Sequence, residues 1–273
     1  MGYRYSLAFL TVAELSPPDA VRVAAEAGFD HVGLRLLPSG TDGPYPLLTD
    51  DALLRDTRAV VEDTGVTVAD IEIIRITPDF DPQATLPFLE RGAALGAKNI
   101  LTAGYDPEPA RMTQSYGAFC ELAAAHGMSA DLEFMPWTDI PNLAAARAQI
   151  EAVAHPAAAI LIDALHVQRS DSPFEQIADL PEEWINYAQL CDAPGVFDTS
   201  HEALIAVARG ARQMPGDGDF DFTALMQALP GNIVLSVEVA QLERRGRDPA
   251  IDRAREALDK ARNVVRQSNI ALA

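Results

Sequence analysis

The sequence predicts an α/β chain folded as one (β/α)8 barrel of the TIM type, a single domain over residues 1–273. Three observations predict it. Eight short apolar runs rich in β-branched residues recur along the chain, separated by longer stretches of helical period. The length, 273 residues, is close to the ~250 typical of such a barrel. Runs such as Ile160–Asp163 and Ile233–Val239 are apolar almost throughout, as parallel strands covered on both faces must be.

The expected strands are Tyr5–Leu10, His31–Leu36, Thr67–Ile73, Asn99–Ala103, Ala130–Phe134, Ala159–Asp163, Asn186–Cys191 and Ile233–Val239. Helix signals fill the gaps. Ser16-Pro17-Pro18 opens a helix that Gly28 closes, with a cap residue, prolines in the first turn and a glycine at the end. Asp50-Asp51 opens one that runs to Thr64 and stops at Gly65. Asp81-Pro82 opens the helix ending at Gly96, and Pro109 the one ending at Gly127. The helix-to-strand junctions Ala24–Asp30 and Ala93–Asn99 echo each other without forming a repeat. A doubly wound open sheet would want a Gly-rich phosphate turn after its first strand. Here that strand runs into Leu10-Thr11-Val12-Ala13-Glu14, with no glycine.

Composition removes several function classes. With 21 basic and 40 acidic residues the net charge is −19, and a chain this acidic repels phosphate backbones. Nucleic acid is therefore not an expected partner. No apolar run approaches the ~20 residues of a membrane span, and the N-terminus lacks a signal-peptide layout. Cys120 and Cys191 lie in different segments and read as free thiols in a reducing cytoplasm. A homo-oligomer is compatible with all of this. Only two lysines occur. Lys98 precedes a strand, at the end of a barrel opposite the chemistry, and Lys260 lies in a charge-rich C-terminal helix. A Schiff-base enzyme needs a lysine in its pocket, so imine chemistry is not expected.

In a βα barrel the active site forms at the C-terminal ends of the strands. Four consecutive strands place an oxygen ligand there: Glu133, Asp163, Gln189 and Glu238. Apolar strands rarely spend buried positions on charge unless it is paired or metal-bound. Three carboxylates and an amide oxygen favour a hard divalent cation, Mn²⁺ or Mg²⁺, with Co²⁺ or Zn²⁺ as the next candidates.

These stretches carry a resemblance. LEFMPW with Glu133, LIDALH with Asp163 and His166, YAQLCDAP with Gln189, RQMPGDGDFD with Arg212 and SVEV with Glu238 together resemble the sugar phosphate isomerase/epimerase family, the xylose isomerase-like TIM barrels. AAEAGFDHVGLRL and LPFLERGAALGAKNI fit more loosely, so the resemblance covers nearly the whole chain. It implies one divalent metal held by Glu133, Asp163, Gln189 and Glu238. It implies that Glu133 and Glu238 also move the proton, acting on a small carbohydrate or cyclic hydroxy-carbonyl substrate. Many members have histidine at the Gln189 position. Glutamine there is a departure that resembles the dehydroshikimate dehydratase branch, where an Ala-Asp-Ala-Pro-like segment follows as Cys191-Asp192-Ala193-Pro194 does here. The DNA-repair branch needs more histidines than the five present, of which only His166 is well placed.

Removing a proton next to a carbonyl is the common first step. Return on the opposite face gives epimerisation, transfer between adjacent carbons gives isomerisation, and loss of a β-hydroxyl gives dehydration. The leading reading is a metal-dependent isomerase or epimerase; a lyase of dehydroshikimate dehydratase type and a non-catalytic sugar-binding barrel are the alternatives. His166 is the candidate for a substrate hydrogen bond or proton relay. Arg212, beside the Pro215–Gly218 turn, is the candidate clamp for a carboxylate, phosphate or hydroxyl. Arg169 is a candidate for an anionic group, and Trp137 for an apolar face of the substrate. Arg35 and Glu72 either line the pocket or pair with each other. Asp192 is expected to orient a metal ligand from behind. The loop Pro38–Pro44 is expected to choose the substrate.

Overall fold

Strand and helix alternate through a computed structural model that describes residues 2–37 and 46–271. The expected specificity loop Pro38–Pro44 lies outside the described residues. The strands are β1 (Arg4–Leu7), β2 (His31–Arg35), β3 (Thr67–Ile76), β4 (Asn99–Gly104), β5 (Ser129–Glu133), β6 (Ala158–Asp163), β7 (Tyr187–Leu190) and β8 (Val234–Val237). All neighbours pair in parallel, in sequence order, and β8 closes on β1.

Local chemistry sets the helices as anticipated. Ser16 Oγ accepts from the Asp19 amide to open helix Pro17–Ala27, and Asp50 accepts from the amides of Ala52 and Leu53 to open Asp51–Thr64. Gly28 ends the first at φ 92°, a left-handed turn that costs glycine least. The Asp81-Pro82 segment departs from expectation. Pro82–Thr85 is a separate tight turn, and the α-helix proper is Leu86–Leu95.

Strands β1 and β3 depart from their apolar runs in ways that shape the rim. β1 stops at Leu7, and Phe9–Val12 coils into a 3-10 turn. Thr11 substitutes for the ladder: its Oγ1 donates to the Val237 carbonyl and accepts from the Val239 amide. β3 instead runs on to Ile76, with a break in its register against β4 between Ile71 and Ile74. That extension carries Arg75 to the top of the barrel, beyond Glu72.

Alternation of side chains divides the strands between two environments. Ile100, Leu132, Ile160, Ala188 and Leu235 join the large core under the helices. Leu101, Ala103, Leu161 and Tyr187 form a smaller cluster inside the barrel. Glu133, Asp163, Gln189 and Glu238 share the parity of the inner set, so they point inward at the C-terminal rim. No helix among the described residues is long and apolar enough to cross a membrane. Both cysteines are free and buried.

Candidate functional site

Glu133 and Asp163 are the last residues of β5 and β6, Gln189 is the third of β7, and Glu238 directly follows β8. Each is buried. Asp163 also caps the next helix, its Oδ1 accepting from the Leu165 amide at 2.7 Å. That cap winds Ala164–Arg169 straight off the strand and turns His166 back over the floor. His166 Nε2 lies 3.5 Å from Glu133 Oε1 and 3.8 Å from Asp163 Oδ2. Ligand atoms of Glu133, Asp163 and His166 all fall within 4.8 Å of one another. His166 thus joins the candidate metal ligands, a role its place in a loop-like motif did not suggest.

Arg212 does not sit at the rim as a free substrate clamp. Its guanidinium is buried between two of the carboxylates, Nη1 at 2.7 Å from Asp163 Oδ2 and Nη2 at 2.7 Å from Glu238 Oε2. Its Nε donates to the Ala208 carbonyl, and Nη1 also reaches Cys191 Sγ at 3.3 Å. A guanidinium in an acidic, water-poor floor gains more from two carboxylates than from solvent. Gln189 Nε2 donates to Glu238 Oε1 at 3.0 Å. Its Oε1 has no partner among the described residues, and an amide oxygen left free in a buried site is suited to a cation.

The charges support the same fit. Burial pushes Glu133 up, and the charges of Asp163 and Glu238 push it further. Burial raises Glu238 to about 8 against the opposing pull of Arg212. Burial also disfavours ionised Asp163, but Arg212 and then His166 outweigh it and hold that carboxyl below its ordinary 3.8. His166 is lowered by burial to about 4, so it stays neutral at pH 7 and able to ligate. With all three carboxylates ionised, the state a bound cation would favour, one guanidinium leaves two negative charges, the complement of one divalent cation. The residues fit such an ion.

A linkage prediction follows. The metal-free folded protein keeps a proton on Glu238 up to about pH 8, whereas an unfolded glutamate releases it near 4.5. Folding therefore takes up a proton in that window, and stability falls as pH rises through it, on the order of 3 kcal/mol. Urea unfolding of chelator-treated protein at pH 5 and pH 8 is expected to show the decline, and Mn²⁺ to abolish it. Equal stability at both pH values counts against the electrostatic frustration described here.

Above this floor opens a cavity of about 320 Å³. Trp137 stands on one wall with its ring edge-to-face on His166, centroids 5.1 Å apart. Arg35 lines the cavity and at the same time pairs with Glu72, Nη2 to Oε2 at 2.6 Å. The two alternatives for that pair hold together.

Two further assignments change. Arg169 is not brought to the cavity: its Nη2 donates to the Pro194 carbonyl and its guanidinium stacks 3.8 Å from the Phe197 ring centroid. Asp192 orients backbone and not a metal ligand. It accepts from the amides of Ala193 and Phe220 through Oδ1 and of Gly216 through Oδ2, so it pins the turn that follows Arg212. Gly218 is required there because a Cβ would come within 2.5 Å of the Ala193 carbonyl oxygen. Cys191 packs against Arg212, and burial pushes its thiol up to about 12, so it stays an inert thiol. Missed altogether were Arg75, Arg209 and Arg245, which line the same cavity. The late position of Arg75 in a strand-end run was the one available signal.

The fold and this rim define a βα barrel with a candidate cation site at its C-terminal end. The chain belongs to the xylose isomerase-like TIM barrel family, whose model matches residues 21–264. No curated protein matches it. Among solved structures it is similar to a xylose isomerase-like TIM barrel/4-hydroxyphenylpyruvate dioxygenase fusion protein, at TM-score 0.84 and 18% identity. The match covers all of this chain and 44% of that one, so the chain spans under half of the fusion protein. It is also similar to an IOLI protein with a bound zinc atom, at TM-score 0.80 and 16% identity over 97% of this chain and 99% of that one. A probable 3-DHS dehydratase, AsbF, from Bacillus anthracis aligns at TM-score 0.74 and 18% identity over 95% and 98% of the two chains. At these identities the likeness is one of fold.

Proposed function

We propose that the protein is a divalent-metal-dependent isomerase or epimerase of a small hydroxy-carbonyl compound, working by proton abstraction next to the carbonyl. The observation that carries this is the floor itself: three buried carboxylates and one guanidinium beneath a substrate-sized cavity. A cation held by Glu133, Asp163, Gln189 and Glu238, with His166 in reach, would supply Lewis-acid stabilisation of the charge that develops on the carbonyl oxygen.

The chain's own residues do the rest. Glu133 and Glu238 rise from opposite arcs of the rim, on β5 and after β8. One is suited to take a proton from a carbon and the other to return it. Their raised proton affinity, caused by burial and crowding, makes each a stronger base than an exposed glutamate. Arg212 keeps Asp163 ionised and holds Glu238 in place through separate arms of its fork. His166, neutral and packed on Trp137, offers a fixed hydrogen-bonding ring on the same floor.

A second reading is a dehydratase of the dehydroshikimate type. Gln189 favours it, since it stands where an isomerase would more often have histidine. The same carboxylates would take the proton, and a β-hydroxyl would leave.

The test is solvent-deuterium exchange by Mn²⁺- or Mg²⁺-loaded protein against small ketoses, hydroxy-keto acids and 3-dehydroshikimate. Deuterium at the carbon next to the carbonyl of at least one compound is expected. Ultraviolet absorbance of a catechol acid from 3-dehydroshikimate marks the second reading. Absence of stoichiometric metal after reloading, or of exchange in every compound, overturns the proposal.

A further inference from the structure

The chain carries about two acidic residues for each basic one, yet its cavity is far richer in arginine than that ratio predicts. Five arginines and four glutamates line it. Arg212 belongs to the floor. The other four come from separate parts of the barrel: Arg35 ends β2, Arg75 stands on the extension of β3, Arg209 is in the last turn of helix His201–Gly210, and Arg245 follows β8. No single helix or loop explains their convergence, and like charges brought together from four elements repel. The repulsion registers at Arg75, whose proton affinity is lowered by burial and then by the charges of Arg35 and Arg209, against a supporting hydrogen bond with Tyr105.

Local carboxylates offset part of this. Glu72 serves Arg35, and Glu14 lies 3.5 Å from Arg245 Nε while also pairing with Arg253. Arg209 forms no ion pair among the described residues and is exposed. A divalent cation on the floor would offset the negative charge there and leave the arginines above it in excess. Arginine forks match carboxylate and phosphate oxygens in both spacing and charge.

The geometry points to an anionic substrate: a small hydroxy-carbonyl compound bearing a carboxylate or phosphate, whose oxyanion is held by Arg75 and Arg209 from opposite sides of the cavity, with Arg35 and Arg245 flanking. This deepens the enolising reading of the floor and rests on it for the reacting half of the molecule. The cavity of about 320 Å³ is at the small end of ligand pockets, sized for a compact acid. Trp137 and Tyr105 supply walls for its carbon frame. The inference also gives the acidic chain a reason to gather arginines above its candidate site.

The test compares three compounds that share a hydroxy-ketone and differ in charge: hydroxypyruvate with a carboxylate, dihydroxyacetone phosphate with a phosphate, and neutral dihydroxyacetone. Each is titrated by calorimetry into the Mn²⁺-loaded full chain. At least one anion is expected to bind tenfold or more tightly than dihydroxyacetone, and which one does so separates carboxylate from phosphate. Arg75→Gln and Arg209→Gln are each expected to reduce that preference about tenfold, the loss of one charge-assisted contact. Arg22→Gln, on the outer surface beside Asp19, should leave it unchanged. Anions no tighter than dihydroxyacetone, or a preference that survives both substitutions, overturn the proposal. Binding is read without turnover, so the two readings fail separately. Anion preference without deuterium exchange sinks only the enolising floor, and exchange with neutral compounds but no preference sinks only the anion site.

Discussion

Glu133→Gln and Glu238→Gln are each expected to slow deuterium exchange by roughly 10²–10⁴-fold, the usual contribution of a positioned acid or base. The amide keeps the size of the side chain and some of its ligand capacity but cannot accept the proton. Glu238→Gln also replaces an oxygen that pairs with Arg212 at 2.7 Å, so metal content must be measured alongside. A variant that keeps stoichiometric Mn²⁺ and loses exchange identifies the glutamate as a proton carrier. One that loses the metal and the exchange together identifies it as a ligand. Exchange within threefold of the parent in both variants would remove these residues from the chemistry.

Arg212→Met should destabilise the metal-free protein by about 3–5 kcal/mol, because it leaves the ionised Asp163 buried without its counter-charge and Glu238 without its partner. In a domain of about this size each kcal/mol is worth roughly 2–4 °C in Tm. The sign with pH is also set. Asp163 is held below its ordinary 3.8 in the folded state. Its share of the stability is therefore present above that value and is lost as pH falls through the lower, folded one. The difference between parent and Arg212→Met should accordingly be large at pH 7 and shrink in strong acid. Divalent metal should narrow it at neutral pH by supplying the missing positive charge. An Arg212→Met protein as stable as the parent at pH 7 without metal would show that Arg212 does not hold an ionised Asp163 in the floor, and the reading of that pair would fail with it.

Much of this architecture is legible in the residues. The eight strands follow from apolar, β-branched runs bounded by caps and glycines, since burying one run against the next leaves a closed parallel sheet as the economical solution. Their outer limits are less legible. Nothing in Tyr5–Leu10 says that Thr11 will take over the ladder at Leu7, because that depends on where β8 lies. Helix caps such as Ser16 and Asp50 act within a few residues and are readable. The four polar residues at the strand ends are readable for a similar reason: side-chain alternation along a strand fixes which residues face inward.

Loop side chains obey no such period. Arg169 and Arg212 are alike in sequence as arginines in the segments that follow strands, yet one stacks on Phe197 and the other joins the floor. Asp192 looked like a support for a ligand and instead holds the turn at Gly216 and Phe220. Arg75, Arg209 and Arg245 attracted no notice because their meeting is a property of closure, which brings β3 opposite the segments after β7 and β8. The chain by itself determined the barrel, the order of its strands and the acidic residues at the rim, since these rest on local periodicity. Only the tertiary structure decided which arginine neutralises those acids, that His166 joins them and that four more arginines gather above the floor. Charges act through space, and residues distant in sequence become neighbours only when the barrel is shut.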